Sequence, residues 1–93
     1  MNYIIRQTEA FAAWRAAMRD MVAATAIRRM ELGNFGDVKS VGEGVSEARV
    51  DVGAGYRLYF TVRDLSVVFL LRGGDKSTQD ADIKAAKKLA KEL

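Results

Sequence analysis

Residues 53–83 read GAGYRLYFTVRDLSVVFLLRGGDKSTQDADI. Tyr56, Leu58, Phe60 and Val62 alternate with Arg57, Tyr59, Thr61 and Arg63, the period-two pattern of a strand. Asp64-Leu65 reads as a short turn, and Val67–Leu71 is apolar on both faces, as in a strand covered on two sides. A Gly73-Gly74 break follows, then a helix start. Ser77-x-x-Asp80 has the form of a capping box with Asp in place of Glu, so the last helix is expected to begin after Ser77. Ile83, Ala86, Leu89, Ala90 and Leu93 give that helix an apolar face. Asp80 and Asp82 near its start, and Lys84, Lys87, Lys88 and Lys91 toward its end, complement the helix dipole.

Working outward, Val45–Val52 also alternates, with Ser46, Ala48, Val50 and Val52 on one face and Glu47, Arg49 and Asp51 on the other. Gly53-Ala54-Gly55 supplies a tight turn into the next strand, and Asn34–Gly44 (NFGDVKSVGEG) reads as a glycine-rich loop. Toward the N-terminus, Asn2–Arg6 favours a strand and Thr8 is a candidate helix cap. Phe11, Trp14 and Met18 lie on one helical face. Asp20 is a candidate cap for a second helix with an apolar face of Val22, Ala23, Ala26, Ile27 and Met30, stopped by Gly33-Asn34. The expectation is one α+β domain over residues 1–93 in the order βααβββα. The last three strands form an antiparallel meander, packed by an N-terminal helical hairpin and a C-terminal helix.

Composition narrows the chemistry. The 93 residues include no cysteine and no histidine, which excludes disulfides, thiolate nucleophiles, cysteine or histidine metal sites and an imidazole base. No metal and no cofactor are expected. Fifteen Lys and Arg against 12 Asp and Glu leave a net charge of +3, a mild tilt toward anionic partners. The start MNYIIRQTEAF lacks the pattern of a secretory signal, and no apolar run reaches the roughly 18 residues of a membrane span. A cytoplasmic location, away from the membrane, is expected.

Strand parity places Arg49, Arg57 and Arg63 on polar faces of adjacent strands, with Tyr59 between two of them. The apolar partners Ala48, Val50, Leu58 and Phe60 turn toward the early helices. One sheet face would then be a cationic surface on which arginines hold phosphates and Tyr59 stacks on a base, the pattern of an RNA site. The competing reading is a solvated face on which Glu47 and Asp51 pair with these arginines across strands. Arg72 and Lys76 flank the glycine pair and would meet this face at its edge, or else mark a flexible turn. Lys39 in the glycine-rich loop is a further candidate for substrate contact.

The combination GNFGDVKSVGEGV, GYRLYF and LLRGGDKSTQDADI resembles the RelE/ParE superfamily of type II toxins, most closely its HigB-like, phage-related addiction-module branch, over about Phe11–Ile83. The resemblance implies a compact RelE-like fold and a cognate helix-turn-helix (HigA-like) antitoxin, with a toxin–antitoxin hetero-oligomer. It also implies metal-independent, ribosome-dependent cleavage of messenger RNA that inhibits translation. Arg57 matches the family's functional arginine, and Arg49, Arg72 and Lys76 match further basic positions with catalytic roles. Lys39, Tyr59 and Arg63 are assigned to RNA binding. Ala48 and Ala54 depart from the family pattern, and the histidines or C-terminal tyrosine that assist cleavage in some relatives are absent. Glu47 is then a candidate base and Lys76 a candidate for proton transfer. The alternative within the superfamily is a ParE-like toxin that poisons DNA gyrase without nuclease activity.

Overall fold

The computed structural model describes residues 2–18, 21–50 and 55–93, with no side-chain description for Val22. The elements run β1 (Ile4–Gln7), α1 (Glu9–Ala17), α2 (Val22–Glu31), β2 (Asp37–Gly42), β3 (Val45–Val50), β4 (Tyr56–Arg63), β5 (Val67–Asp75), a 3₁₀ turn (Lys76–Thr78) and α3 (Gln79–Lys91). The α+β class holds, with a five-stranded sheet in the order β1-β5-β4-β3-β2. The strand count does not match the expectation. Asp37–Gly42, read as loop, is a six-residue edge strand antiparallel to β3, and β1 adds in parallel to β5. Glycine content concealed β2: Gly42 and Gly44 have positive φ, and between them Glu43 (φ 55°) turns the chain back as a hairpin.

Thr8 caps α1 as its sequence position predicts. Its hydroxyl accepts from Phe11 N–H at 3.1 Å and donates to the Leu71 carbonyl at 2.7 Å, so the same side chain starts the helix and ties it to β5. The expected Asp20 cap, and the Asp51, Val52 and Gly53-Ala54 positions of the expected strand and turn, lie outside the described residues, and with them the expected pairing of Asp51 with an arginine. Gly33 (φ 88°) ends α2, with the Asn34 N–H donating to the Arg29 carbonyl at 2.9 Å.

The sheet has a core on each side. Phe11, Ile27, Met30, Ala48, Leu58, Phe60, Val68 and Leu70 pack with the first two helices. Val45, Tyr59 and Leu71 pack against Ala86 and Ala90 of α3 on the other face. The alternation read along β4 is therefore correct, but its second face is not open. The apolar stripe of α3 needs a surface, and that face supplies one.

A bulge in β5 decides how α3 sits. Tyr59 pairs with Arg72 and Phe60 with Leu70, leaving Leu71 as the extra residue. Leu71 and Arg72 consequently both contact α3, and beyond them Gly73 and Gly74 continue in the strand rather than forming a flexible break. A methyl group on Gly73 would collide with the Trp14 indole, and one on Gly74 with the Asp82 carboxylate. The helix start is also later than expected. Asp75 caps the 3₁₀ turn through the Ser77 N–H at 2.8 Å, and α3 opens at Gln79 with Thr78 as its cap residue, so Ser77 and Asp80 do not form a capping box. The β4–β5 turn carries Asp64 (φ 53°) and Leu65 (φ 65°) in the left-handed region, and Leu65 is 87% exposed.

Gly73→Ala and Gly74→Ala are each expected to destabilise the fold by about 1–3 kcal/mol through overpacking, read as a lower urea midpoint. Leu65→Gly is expected to raise stability by roughly 0.5–1 kcal/mol, because it relieves a left-handed leucine whose side chain is mostly in solvent.

Candidate active site

Register brings the polar residues of four strands into two adjacent rows on the α3 side. One row is Asp37, Arg49, Arg57 and Gly74, and the next is Lys39, Glu47, Tyr59 and Arg72. The N-terminal turn of α3 lies over part of these rows. Gln79 Nε2 donates to Glu47 Oε1 at 3.1 Å and approaches Oε2 at 3.4 Å. Asp82 accepts from Arg72 Nε at 3.0 Å and from the Thr78 hydroxyl at 2.6 Å. Beyond the N-terminal turn of α3, the rows emerge as a small recess of about 70 Å³ bounded by Asp37, Lys39, Glu47 and Arg49.

Glu47 is the centre of this arrangement. Its side chain is 1% exposed, and Arg57 Nε stands 2.6 Å from Oε1 with Lys39 Nζ 3.8 Å from Oε2. The Arg57 contact is an ion pair rather than an aligned hydrogen bond, since its Nε–H has no acceptor on line among the described residues. Two cations and one amide N–H therefore converge on one carboxylate. Close charges in a poorly solvated place interact far more strongly than the same pair in water.

The predicted site residues divide. Arg57, Arg49 and Lys39 come together around Glu47, with Arg49 and the Lys39 side chain open to solvent. Lys39 reaches this place because it belongs to β2 directly opposite Glu47, not to a loop. Arg72 joins the same row but is held by Asp82. Lys76 is exposed in the 3₁₀ turn beyond the sheet, with no ionic partner among the described residues. Arg63 lies at the opposite end of β4, about 20 Å from Arg57 by strand rise, where it donates to the Ala90 carbonyl at the end of α3. Its contact there is with the protein.

Tyr59 is 0% exposed beneath α3, which removes its ring from contact with any base and corrects the open cationic face expected from parity. Its hydroxyl has no hydrogen-bond partner among the described residues. Burial pushes its pKa up to about 12, with the nearby Glu47 and Asp82 carboxylates adding to the rise. Asp75, by contrast, is held below the usual carboxylate range by the Ser77 hydroxyl and N–H that it caps. Gln79 and Asp82 were not singled out as site residues. Only Gly74, which lets Asp82 of α3 approach so closely, signalled their position. Among the described residues no group of acidic side chains is arranged to hold a metal ion. No helix among them is long and apolar enough to cross a membrane.

Removing either partner of the Glu47–Arg57 pair takes from a buried charge its closest counter-charge. Glu47→Leu and Arg57→Met are each expected to cost about 3–5 kcal/mol, and the double variant much less than their sum, in urea unfolding at pH 7. Tyr59→Phe is expected to be neutral or stabilising by up to about 1 kcal/mol, since it deletes an unpaired hydroxyl. The raised tyrosine also fixes a pH dependence. In the unfolded chain the phenol ionises near 10, whereas in the folded protein it keeps its proton up to about 12. The stability tied to that proton is complete below pH 10 and lost as pH rises toward 12. Phenolate absorbance should show this late step in the wild type and not in Tyr59→Phe.

No family model matches the chain. An uncharacterized protein of Haemophilus influenzae (strain ATCC 51907 / DSM 11121 / KW20 / Rd) is 46% identical over 97 aligned positions, covering 100% of this chain and 98% of that protein. At that identity over the full length of both chains, this protein belongs to the same family as the Haemophilus influenzae protein.

Proposed function

We propose that this protein is the toxin of a type II toxin–antitoxin pair. In this reading it is a RelE/HigB-like endoribonuclease that cuts messenger RNA on the ribosome in the cytoplasm and is neutralised by a helix-turn-helix antitoxin. The observation that carries the reading is Glu47, which lines a recess with Asp37, Lys39 and Arg49 and is held from behind by Arg57 at 2.6 Å. It supports a base and several phosphate-binding cations at one place, which metal-free RNA cleavage requires.

In this reading the Glu47 carboxylate accepts the proton of an RNA 2′-hydroxyl, and the 2′-oxygen attacks the adjacent phosphorus. The bond to the 5′-oxygen breaks, giving a 2′,3′-cyclic phosphate on one fragment and a 5′-hydroxyl on the other. Arg57 and Arg49 stabilise the charge that develops on the phosphate oxygens. Lys39, the solvent-accessible ammonium nearest Glu47, supplies the proton to the departing 5′-oxygen. The recess is small, about 70 Å³, so it suits one phosphate rather than a whole nucleotide. The ribosome would have to position the RNA, and that positioning replaces binding surface the protein lacks.

Translating ribosomes incubated with wild type, Arg57→Ala and Glu47→Gln give the test, with cut sites mapped by primer extension and fragment ends analysed. Loss of about 100-fold or more in cleavage by each folded variant is expected. Equal cleavage by wild type and Arg57→Ala would remove this site from the reaction. Uncut messages together with a DNA-damage response on expression would replace the nuclease reading with the gyrase-directed one.

A further inference from the structure

A second cleft opens on the other side of the sheet, between α2 and β3, with a volume of about 430 Å³. This lies within the roughly 300–1,000 Å³ range of clefts that hold ligand groups. Ala26, Met30, Phe35 and Ala48 make its walls apolar, and Met21, 73% exposed, stands at its mouth. The rim carries Arg29 and Arg49. Both are exposed, and neither has an ionic partner among the described residues. No carboxylate belongs to the described lining. Arg49 also bounds the polar recess beside Glu47, so one side chain serves both openings.

We infer that this cleft is the docking site of the neutralising partner, filled by an apolar segment whose flanking carboxylates pair with Arg29 and Arg49. Charge complementarity selects such an occupant: apolar walls take an apolar side chain, and two exposed guanidiniums with no ionic partner among the described residues favour carboxylates that they can bind bidentately. The inference rests on the toxin reading, because it names where that toxin meets its antitoxin. It adds a mode of control. A partner carboxylate that engages Arg49 withdraws this cation from the recess, which weakens phosphate binding without contact to the buried Glu47–Arg57 pair.

The test uses the full chain and the purified helix-turn-helix protein encoded next to it, where the family resemblance places the antitoxin gene. Arg29→Glu and Thr25→Glu change exposed α2 residues of the cleft, and Lys84→Glu changes an exposed residue on the outward side of α3. Calorimetric titration should show at least tenfold weaker binding for Arg29→Glu and Thr25→Glu and unchanged binding for Lys84→Glu. The two cleft variants should still cut messages yet escape neutralisation. A photoreactive residue at Thr25 in the otherwise unaltered chain should cross-link to the partner, and one at Lys84 should not, which decides the matter even if a charge variant unfolds. Wild-type affinity in both cleft variants, or cross-linking from Lys84 alone, overturns the docking site and leaves the toxin reading intact. A cross-linked dimer of this chain from Thr25 in the partner's presence overturns it in favour of a second copy. No binding of the partner to the wild type overturns both. Weakened binding by the cleft variants with uncut messages keeps the docking site and ends the nuclease reading.

Discussion

Close approach of α1 and α3 to the same stretch of β5 is the constraint from which the rest of the molecule follows. Gly73 meets Trp14 on one side and Gly74 meets Asp82 on the other, with no room for a methyl group at either position. A sheet covered on both faces leaves its central strands little water, so charge on them must be matched locally. Asp82 pairs with Arg72 and Thr78, and Glu47 with Arg57, Lys39 and Gln79. Each of these partners comes from a different element. The polar cluster therefore exists only once the sheet register and the seat of α3 are both set.

The two sides of the sheet differ in chemical character. On the α2 side the contacts are apolar except at the rim, while on the α3 side the apolar packing of Val45, Tyr59 and Leu71 gives way to charge at the end beyond the helix. Fixed charges in a partly buried recess are suited to phosphate chemistry because they need little reorganisation when charge develops on a substrate. The same cations would be worth little as a solvated stripe. Burial of the Glu47–Arg57 pair, more than the number of arginines, is what distinguishes this recess from an ordinary basic surface.

Much of the fold was legible along the chain. Thr8 as a cap, the Phe11 and Ile27–Met30 faces, the alternation of β4 and the two-sided apolar run of β5 all depend on neighbours within a few residues, so they appear as period and propensity. What went unread involves partners far apart in sequence. Asp37–Gly42 became a strand because β3 offered it a pairing edge, against the local signal of Gly36, Gly42 and Gly44 in and around it. Gly73-Gly74 looks like a break in a linear reading, because a glycine kept small for a neighbour and a glycine kept small for a turn are identical in sequence. The Tyr59 ring was assigned to solvent because parity tells which residues share a face but not what covers it.

The sequence by itself determined the residue classes: no histidine or cysteine chemistry, an alternating strand with Arg57 and Arg63 on one parity, an amphipathic last helix and the basic positions from which a site could be built. Tertiary structure alone decided which of those positions meet. It placed Lys39 opposite Glu47, set Glu47 2.6 Å from Arg57, and sent Arg63 to the other end of the strand. The physical reason is that periodicity is a property of one strand, whereas an electrostatic site is a property of register between strands. The bulge at Leu71, which turns two successive residues of β5 toward α3, is a local event whose need arises only from packing.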